Sequence, residues 1–359
     1  MSDDFITRLE RQLISAERRE LTRRPAVRRF VQTRHAVTAP LAAVAAVALL
    51  ALVFALIAGT LSREQEVARP APKLIGVYPL ATALSPLWTG YGSVWTSDPV
   101  REQVLRLDPR THRVAARIPT GAESVVAVGA SGVWALAGDL QYRGDRGPVR
   151  VLRIDPRSNR VIARIPVSAP PGQRLVPYGL QVDGDAVWVT GSSGLLRVDA
   201  SRNAAGRFVA LAGEPRGVVI DGDGAWTLTR GGRLRRVDLR SGRVTFEDRL
   251  AAPPGSMLAG APGALLLRTA ADRLARVAEA GGKRLWTVRL GGELDVAVVG
   301  EHDTIWAHRS DGVLLRLDAE TGRRTGALRL PGDRAAGIAQ VGRELWVATA
   351  SGSLAVATR

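Results

Sequence analysis

The sequence predicts an all-β fold: a seven-bladed β-propeller of four-stranded blades, closed by an N-terminal strand that completes the last blade and preceded by a single transmembrane helix. Three observations carry this expectation. Tryptophan recurs with a period near 40 residues, a short word of alternating apolar and polar residues recurs with it, and one uncharged apolar run stands ahead of both.

In chain order, residues 1–35 form a basic arm. Phe5, Ile6, Leu9, Leu13 and Ile14 fall at helical spacing, so a short amphipathic helix is expected there, suited to a membrane surface or to a cytoplasmic partner. Residues 36–61 contain no charged residue, and 41–58 is continuously apolar. At ~1.5 Å of rise per residue this stretch crosses a hydrocarbon core of about 30 Å. Pro40 stands at the first turn, where a missing N–H costs nothing, and Gly59 ends the run. Arg18, Arg19, Arg23, Arg24, Arg28, Arg29 and Arg34 crowd the N-terminal flank, whereas Arg63, Glu64, Glu66 and Arg69 balance on the other side. The positive-inside rule then puts the N-terminus in the cytoplasm and the large C-terminal part outside. A cleaved signal peptide is the alternative, but the charged leader is long for one and no A-x-A pattern closes the run. Residues 62–72, ending in R-P-A-P, make a stiff linker to the domain at 73–359.

That domain is a repeat. Trp95, Trp134, Trp188, Trp226, Trp306 and Trp346 follow Gly/Asp/Glu-rich turns at steps of 39, 54, 38, 80 and 40 residues. The step of 80 is two periods, with Leu266 at its midpoint, and the step of 54 carries insertions at 141–148 and 170–177. The second word reads VLRLD at 104–108, VLRID at 151–155, LLRVD at 195–199, LRRVD at 234–238, LARVA at 274–278, LLRLD at 314–318 and SLAVA at 353–357. Its alternation is that of a half-buried strand. Turn chemistry follows, such as D-P-R-T-H-R at 108–113, and then another strand, such as V-A-A-R-I at 114–118. Each period therefore holds strand A (as G-L-Q-V at 179–182), strand B with the tryptophan, strand C with the L-x-R-x-D word, and strand D. Four strands in ~40 residues is the signature of a propeller blade, and seven B strands mean seven blades. The last blade lacks its D strand, and L-I-G-V-Y-P-L at 74–80 has the D-strand pattern. Pairing the two closes the ring and removes open edges.

Repetition separates scaffold from site. The tryptophans are expected to pack between blades rather than to stack on a ligand. The strand-C aspartates Asp108, Asp155, Asp199, Asp238 and Asp318 are expected to bond the amides of the following turn. The strand-C arginines Arg106, Arg153, Arg197 and Arg316 are read as solvated or inter-blade partners. The functional candidates are instead the non-repeated residues of the D-to-A connections and B-to-C loops, which build one mouth: Trp88, Asp98, Glu123, Tyr142, Arg174, Tyr178, Glu214, Arg216, Arg268, Glu293, Asp295, His308, Asp333 and Arg334. Both insertions belong to this mouth, in adjacent blades, and long loops on one rim carry recognition.

The pattern G-x-[VL]-W-V followed by V-x-R-[IL]-D-P-x-[ST]-x-[KR]-V resembles the YVTN/YncE-like family of seven-bladed propellers, and the neighbouring virginiamycin B lyase-like and NHL-type propellers, over about residues 73–359. The resemblance implies the fold, and a function among binding proteins, envelope proteins and a few enzymes. The lyase-like relatives imply an acid three residues past the strand-B tryptophan. Here that slot holds Asp98, Ala137, Gly191, Thr229, Thr269, Arg309 and Thr349, of which only Asp98 is acidic. His308, with Glu293 or Asp295 nearby, is the one candidate general base.

Composition bounds what is left. The 359 residues hold 50 Lys+Arg and 34 Asp+Glu, a formal charge of +16, yet the only lysines are Lys73 and Lys283. The absence of cysteine excludes disulfides, thiolate metal sites and cysteine catalysis. Four histidines leave little for a histidine-rich metal site, and no cofactor or metal is expected. The charge divides into the arginine cluster of the arm and a thin excess spread over the blades with no interleaved aromatics, so no nucleic-acid partner is expected. The sequence thus points to a non-catalytic, single-pass membrane protein whose extracytoplasmic propeller binds a protein or envelope polymer at its rim. A lyase-like enzyme and a tethered scaffold are the alternatives.

Overall fold

The computed structural model describes residues 70–140, 148–171, 175–249, 257–261, 263–279 and 281–359. The predicted arm, the apolar span at 36–61 and most of the linker lie outside these residues. Among the described residues no helix is long and apolar enough to cross a membrane. Residues 70–359 form one compact unit.

The described strands form seven antiparallel four-stranded sheets. The first, β1 (Leu74–Pro79), pairs with the last. Blade 1 is β2 (Trp88–Gly90), β3 (Ser93–Asp98), β4 (Gln103–Asp108) and β5 (Arg113–Pro119); blade 2 is β6 (Ser124–Gly129), β7 (Gly132–Ala137), β8 (Arg150–Asp155) and β9 (Arg160–Pro166). Blade 3 is β10 (Pro177–Asp183), β11 (Ala186–Gly191), β12 (Gly194–Asp199) and β13 (Ala204–Ala210); blade 4 is β14 (Pro215–Asp221), β15 (Gly224–Thr229), β16 (Arg233–Asp238) and β17 (Val244–Arg249). Blade 5 is β18 (Met257–Ala261), β19 (Ala264–Ala270), β20 (Arg273–Ala278) and β21 (Arg284–Arg289); blade 6 is β22 (Leu294–Val299), β23 (Thr304–Arg309), β24 (Val313–Asp318) and β25 (Arg324–Arg329). Blade 7 is β26 (Ala335–Val341), β27 (Glu344–Thr349) and β28 (Ser353–Thr358), completed by β1. The A strands touch in sequence, from β2 through β6, β10, β14, β18 and β22 to β26, which returns to β2. The ring is closed.

Burial follows position along the blade. The B strands β3, β7 and β15 are buried at every residue, because a neighbouring blade covers each face. The outer strands β5 and β9 alternate exposed and half-buried residues. The core is divided into seven clusters, one per blade interface. Each holds one strand-B residue set against the next blade. Trp134 packs on Leu180, Val187 and Leu196, and Trp346 packs on Leu87, Val94 and Leu105 across the closure. At the interface between blades 5 and 6 Leu266 fills the slot, fully buried beside Ala297 and Ile305.

The repeated polar residues hold blade corners. Asp108 accepts the Arg110 amide at 2.8 Å, and Asp155, Asp199, Asp238 and Asp318 accept the corresponding turn amides. The fifth turn position is left-handed in every such turn: His112, Asn159, Asn203, Gly242 and Gly322 have φ of 57°, 56°, 50°, 75° and 71°. Strand-C arginines bolt one blade to the next. Arg106 donates to the Pro156 carbonyl (2.8 Å), Arg153 to that of Ala200 (2.8 Å), Arg276 to that of Ala319 (2.7 Å) and Arg316 to that of Pro70 (3.0 Å). Arg106 and Arg153 also lie 5.5 and 5.2 Å from the ring centroids of Trp95 and Trp134, so the bolt covers the wedge.

Closure uses residues that are nearly the whole domain apart. Val77 pairs with Ala355 and Tyr78 with Leu354, while Lys73 and Thr358 bond each other in both directions at 2.8 Å. His112 of blade 1 contacts Glu344 Oε2 of blade 7 at 2.9 Å, and its ring lies 5.3 Å from that of Trp346.

Replacing a wedge tests this division of the core. Trp134→Ala should lower stability by about 3–5 kcal/mol in denaturant unfolding, the usual cost of emptying a large aromatic site. Trp134→Leu should cost clearly less, since Leu266 serves in the same slot. Equal losses would show that ring volume is not what the slot requires.

Candidate functional site

The mouth built from D-to-A connections and B-to-C loops gathers four of the expected residues at the junction of blades 6 and 7. Asp295, the second residue of β22, is almost fully buried at its side chain (2% exposed), as is His308 on β23. His308 Nδ1 lies 3.1 Å from Asp295 Oδ2, which also accepts the Ala335 amide at 3.0 Å. Arg334, just before β26, crosses from blade 7: its Nε donates to Asp295 Oδ1 at 3.0 Å and its Nη2 to Glu293 Oε1 at 2.8 Å. Arg334 and Glu293 are the exposed members. Local structure explains the convergence. Leu294 and Arg309 pair, and the ladder between β22 and β23 then shifts register before Val296 and His308. The shift brings Asp295 alongside the His308 ring.

Electrostatics fix the state of this group. Burial holds the His308 imidazole below its ordinary pKa, with the hydrogen bond to Asp295 and the Asp295 charge pulling the other way. The ring is therefore neutral near pH 7. A carboxylate only accepts, so Nδ1 carries the proton and Nε2 keeps the lone pair. Arg334 is raised above its ordinary value by the hydrogen bond to Asp295 and by the Asp295 and Glu293 charges, and stays charged. The arrangement is a buried base oriented by a carboxylate, capped by an ion pair facing the mouth.

The other expected residues are dispersed. Arg268 on β19 reaches blade 6, donating to the Leu294 carbonyl at 3.0 Å beside Asp295. Asp333 accepts a hydrogen bond from Ser351 at 3.0 Å. Glu214, exposed and left-handed (φ 52°), pairs with Arg230 at 3.3 Å. Tyr178 donates to the Pro215 carbonyl at 3.1 Å, tying blade 3 to blade 4. Glu123 precedes β6 half-buried, its carbonyl accepting the Gly138 amide. Trp88 lies on β2, half-buried between the cores on either side of blade 2. Arg216 falls in β14, but its side chain lies outside the described residues, as do Tyr142 and Arg174 entirely.

Asp98 shows what the slot three past the tryptophan does. Fully buried, it accepts the Thr82 amide at 3.0 Å and the Arg101 amide at 3.2 Å. Thr229 and Thr349, in the same slot, accept the Arg233 and Ser353 amides. The slot caps the B-to-C hairpin, so a lone acid there closes a turn. Ala137 and Gly191 in this slot have no side-chain acceptor to cap with, and Arg309 instead bonds the Leu290 carbonyl and Asp311 next to His308. Arg309 is not among the expected site residues, although an arginine in a slot that three blades give to threonine marks it in the sequence. Among the described residues no three His, Asp or Glu side chains are placed to share a metal ion.

A family model described as outer membrane protein assembly factor BamB matches residues 230–358, which run from late blade 4 to the end of blade 7. No curated protein matches the chain. Among solved structures, the N-terminal domain of BBS1 in complex with ARL6 is similar at TM-score 0.63 and 14% identity, covering 81% of this chain and 97% of that one. The computationally designed Ika8 protein is similar at TM-score 0.59 and 10% identity, covering 79% of this chain and 100% of that one. At such identities the likeness is one of fold.

The state of His308 makes a testable sign. Its folded pKa lies below the unfolded value of about 6.5, so the unfolded chain binds the proton first as pH falls. Its contribution is complete above that value and is lost as pH drops through the folded pKa. The melting temperature of the wild type should therefore fall more steeply from about pH 7 to 5 than that of His308→Gln. Parallel curves would contradict a buried neutral imidazole.

Proposed function

We propose that the chain is a membrane-anchored propeller that binds a protein or envelope polymer, without catalysis, at the mouth carrying the two insertions. The observation that carries this is the junction of blades 6 and 7. Its exposed groups, Glu293 and Arg334, present opposite charges side by side to the mouth, while the ionisable groups beneath them are consumed in holding the pair. A surface of fixed, alternating charge on rigid strand ends suits recognition. The repeat words and the family match at 230–358 support a binding or scaffold propeller of the BamB-like or YVTN/YncE-like kind. The apolar span at 36–61 and its arginine flank support an inner- or plasma-membrane anchor with the propeller outside.

A lyase-like enzyme is the second reading, favoured by one observation: His308, neutral and oriented by Asp295, has the form of a general base. It would act alone, since Asp98, the one acid in the lyase-like slot, is spent on the Thr82 and Arg101 amides.

One experiment addresses side and rim together. Because the only lysines are Lys73 and Lys283, a membrane-impermeant amine reagent applied to intact spheroplasts should label both, and material cross-linked to the propeller should be lost when 141–148 is replaced by a short turn. Labelling only after lysis would place the propeller inside. Undiminished cross-linking by the replaced chain would move the partner away from this rim.

A further inference from the structure

On the face opposite the mouth, the A-to-B turns of blades 2 and 3 and the C-to-D turn of blade 3 enclose a groove of about 640 Å³ lined by Ser131, Arg153, Asp185, Arg197, Asp199 and Arg207, among others. This volume is in the range of small-molecule sites. The repeat makes the groove unusual. In blades 1, 2 and 5 the strand-C arginine is bound by a carbonyl of the following blade, and in blade 6 by that of Pro70, just ahead of β1. Arg197 occupies that place in blade 3 and is exposed, with no hydrogen bond or ion pair among the described residues.

The residue across from it differs as well. Arg106 faces Ala116, Arg153 faces Ala163, Arg236 faces Phe246, Arg276 faces Trp286 and Arg316 faces Gly326. In blade 3 the ladder is interrupted between the pairs Leu196–Phe208 and Val198–Ala205, and the residues in the gap are Arg197, Gly206 and Arg207. Blade 3 alone sets a second arginine beside the first. Arg207 is also exposed and unpartnered among the described residues. Like charges placed across a sheet repel, and no hydrogen bond or ion pair among the described residues relieves them. Asp199 is engaged by Ser201 and the Arg202 amide, and Arg153 is held by Ala200, Asn203 and Ser131. The side chain of Asp185, which also lines the groove, makes no hydrogen bond or ion pair among the described residues either.

We propose that this groove binds an oxyanion, phosphate or carboxylate, carried on a hydroxyl-bearing body such as a sugar. The paired guanidinium groups of Arg197 and Arg207 take the oxyanion through parallel N–H donors, the geometry at which arginine excels. Asp185 and the Ser131 hydroxyl meet the hydroxyl groups of the body. The site is independent of the mouth, since it lies at the other end of the strands and shares no residue with it.

Calorimetric titration of the full chain with glucose 6-phosphate, glucuronate and glucose tests this. Saturable binding of one or both acidic sugars is expected, with none of glucose. The double variant Arg197→Gln/Arg207→Gln should bind about tenfold more weakly or worse. Arg110→Gln, an exposed arginine in the equivalent turn of blade 1, should bind as the wild type does. The unliganded double variant should melt no lower than the wild type, since it loses only a repulsion, and it should lose the rise in melting temperature that the bound sugar produces. No saturable binding by the wild type would overturn the proposal. So would binding that survives undiminished in the double variant, which would belong to another part of the chain, and so would a lower melting temperature of the double variant without ligand. A phosphate-only or carboxylate-only response assigns the source of the oxyanion within the same site.

Discussion

Everything in the ring depends on one contact repeated around it: a strand-B side chain of each blade pressed into the sheet of the next. A blade of four strands cannot bury both of its faces alone, and each face finds its cover in a neighbour. The core is consequently seven small cores in a circle, each organised on one wedge, five of the tryptophans being buried to within 2%. The arginine bolts add direction on one face, because each guanidinium reaches forward to the blade that follows. Removing any one blade's partner would leave a wedge in water, which is why closure by β1 matters as much as any internal contact.

The scaffold was legible because repeats write the same physics many times. The tryptophan spacing, the L-x-R-x-D word and the turn residues each had several copies, so one irregular copy, such as Leu266, did not hide the pattern. The D-strand match at 74–80 was legible for the same reason. The bolts were only half legible. Arg106 or Arg153 could be seen, but its acceptor is a backbone carbonyl in the next blade, and a carbonyl leaves no mark on sequence. The mouth was least legible. Fourteen residues shared a rim by topology, and four of them met only because a register shift beside His308 turns Asp295 toward it and Arg334 enters from the adjacent blade. Residues 141–147 and 172–174 of the insertions and the segment at 1–69 lie outside the described residues, so the anchor stands on its hydropathy and charge.

The two faces of the ring treat charge in opposite ways. At the mouth, four ionisable groups between blades 6 and 7 are joined in one chain: Glu293 with Arg334, Arg334 with Asp295, Asp295 with His308. On the other face, Arg197 and Arg207 stand together with no counterpart among the described residues. A propeller gains such a difference cheaply, since departures from the repeat at a strand end leave the wedges untouched. The departures, rather than the repeats, are where function is written.

The central claim is that β1, although separated from β28 by the whole domain in sequence, is an integral strand of blade 7 and locks the ring. Amide hydrogen exchange resolved strand by strand tests it most directly. The account predicts that amides bonded between β1 and β28 exchange only through global opening, with the same free energy as those of β27. Exchange of β1 by an independent, low-energy opening, with β27 still protected, would contradict it.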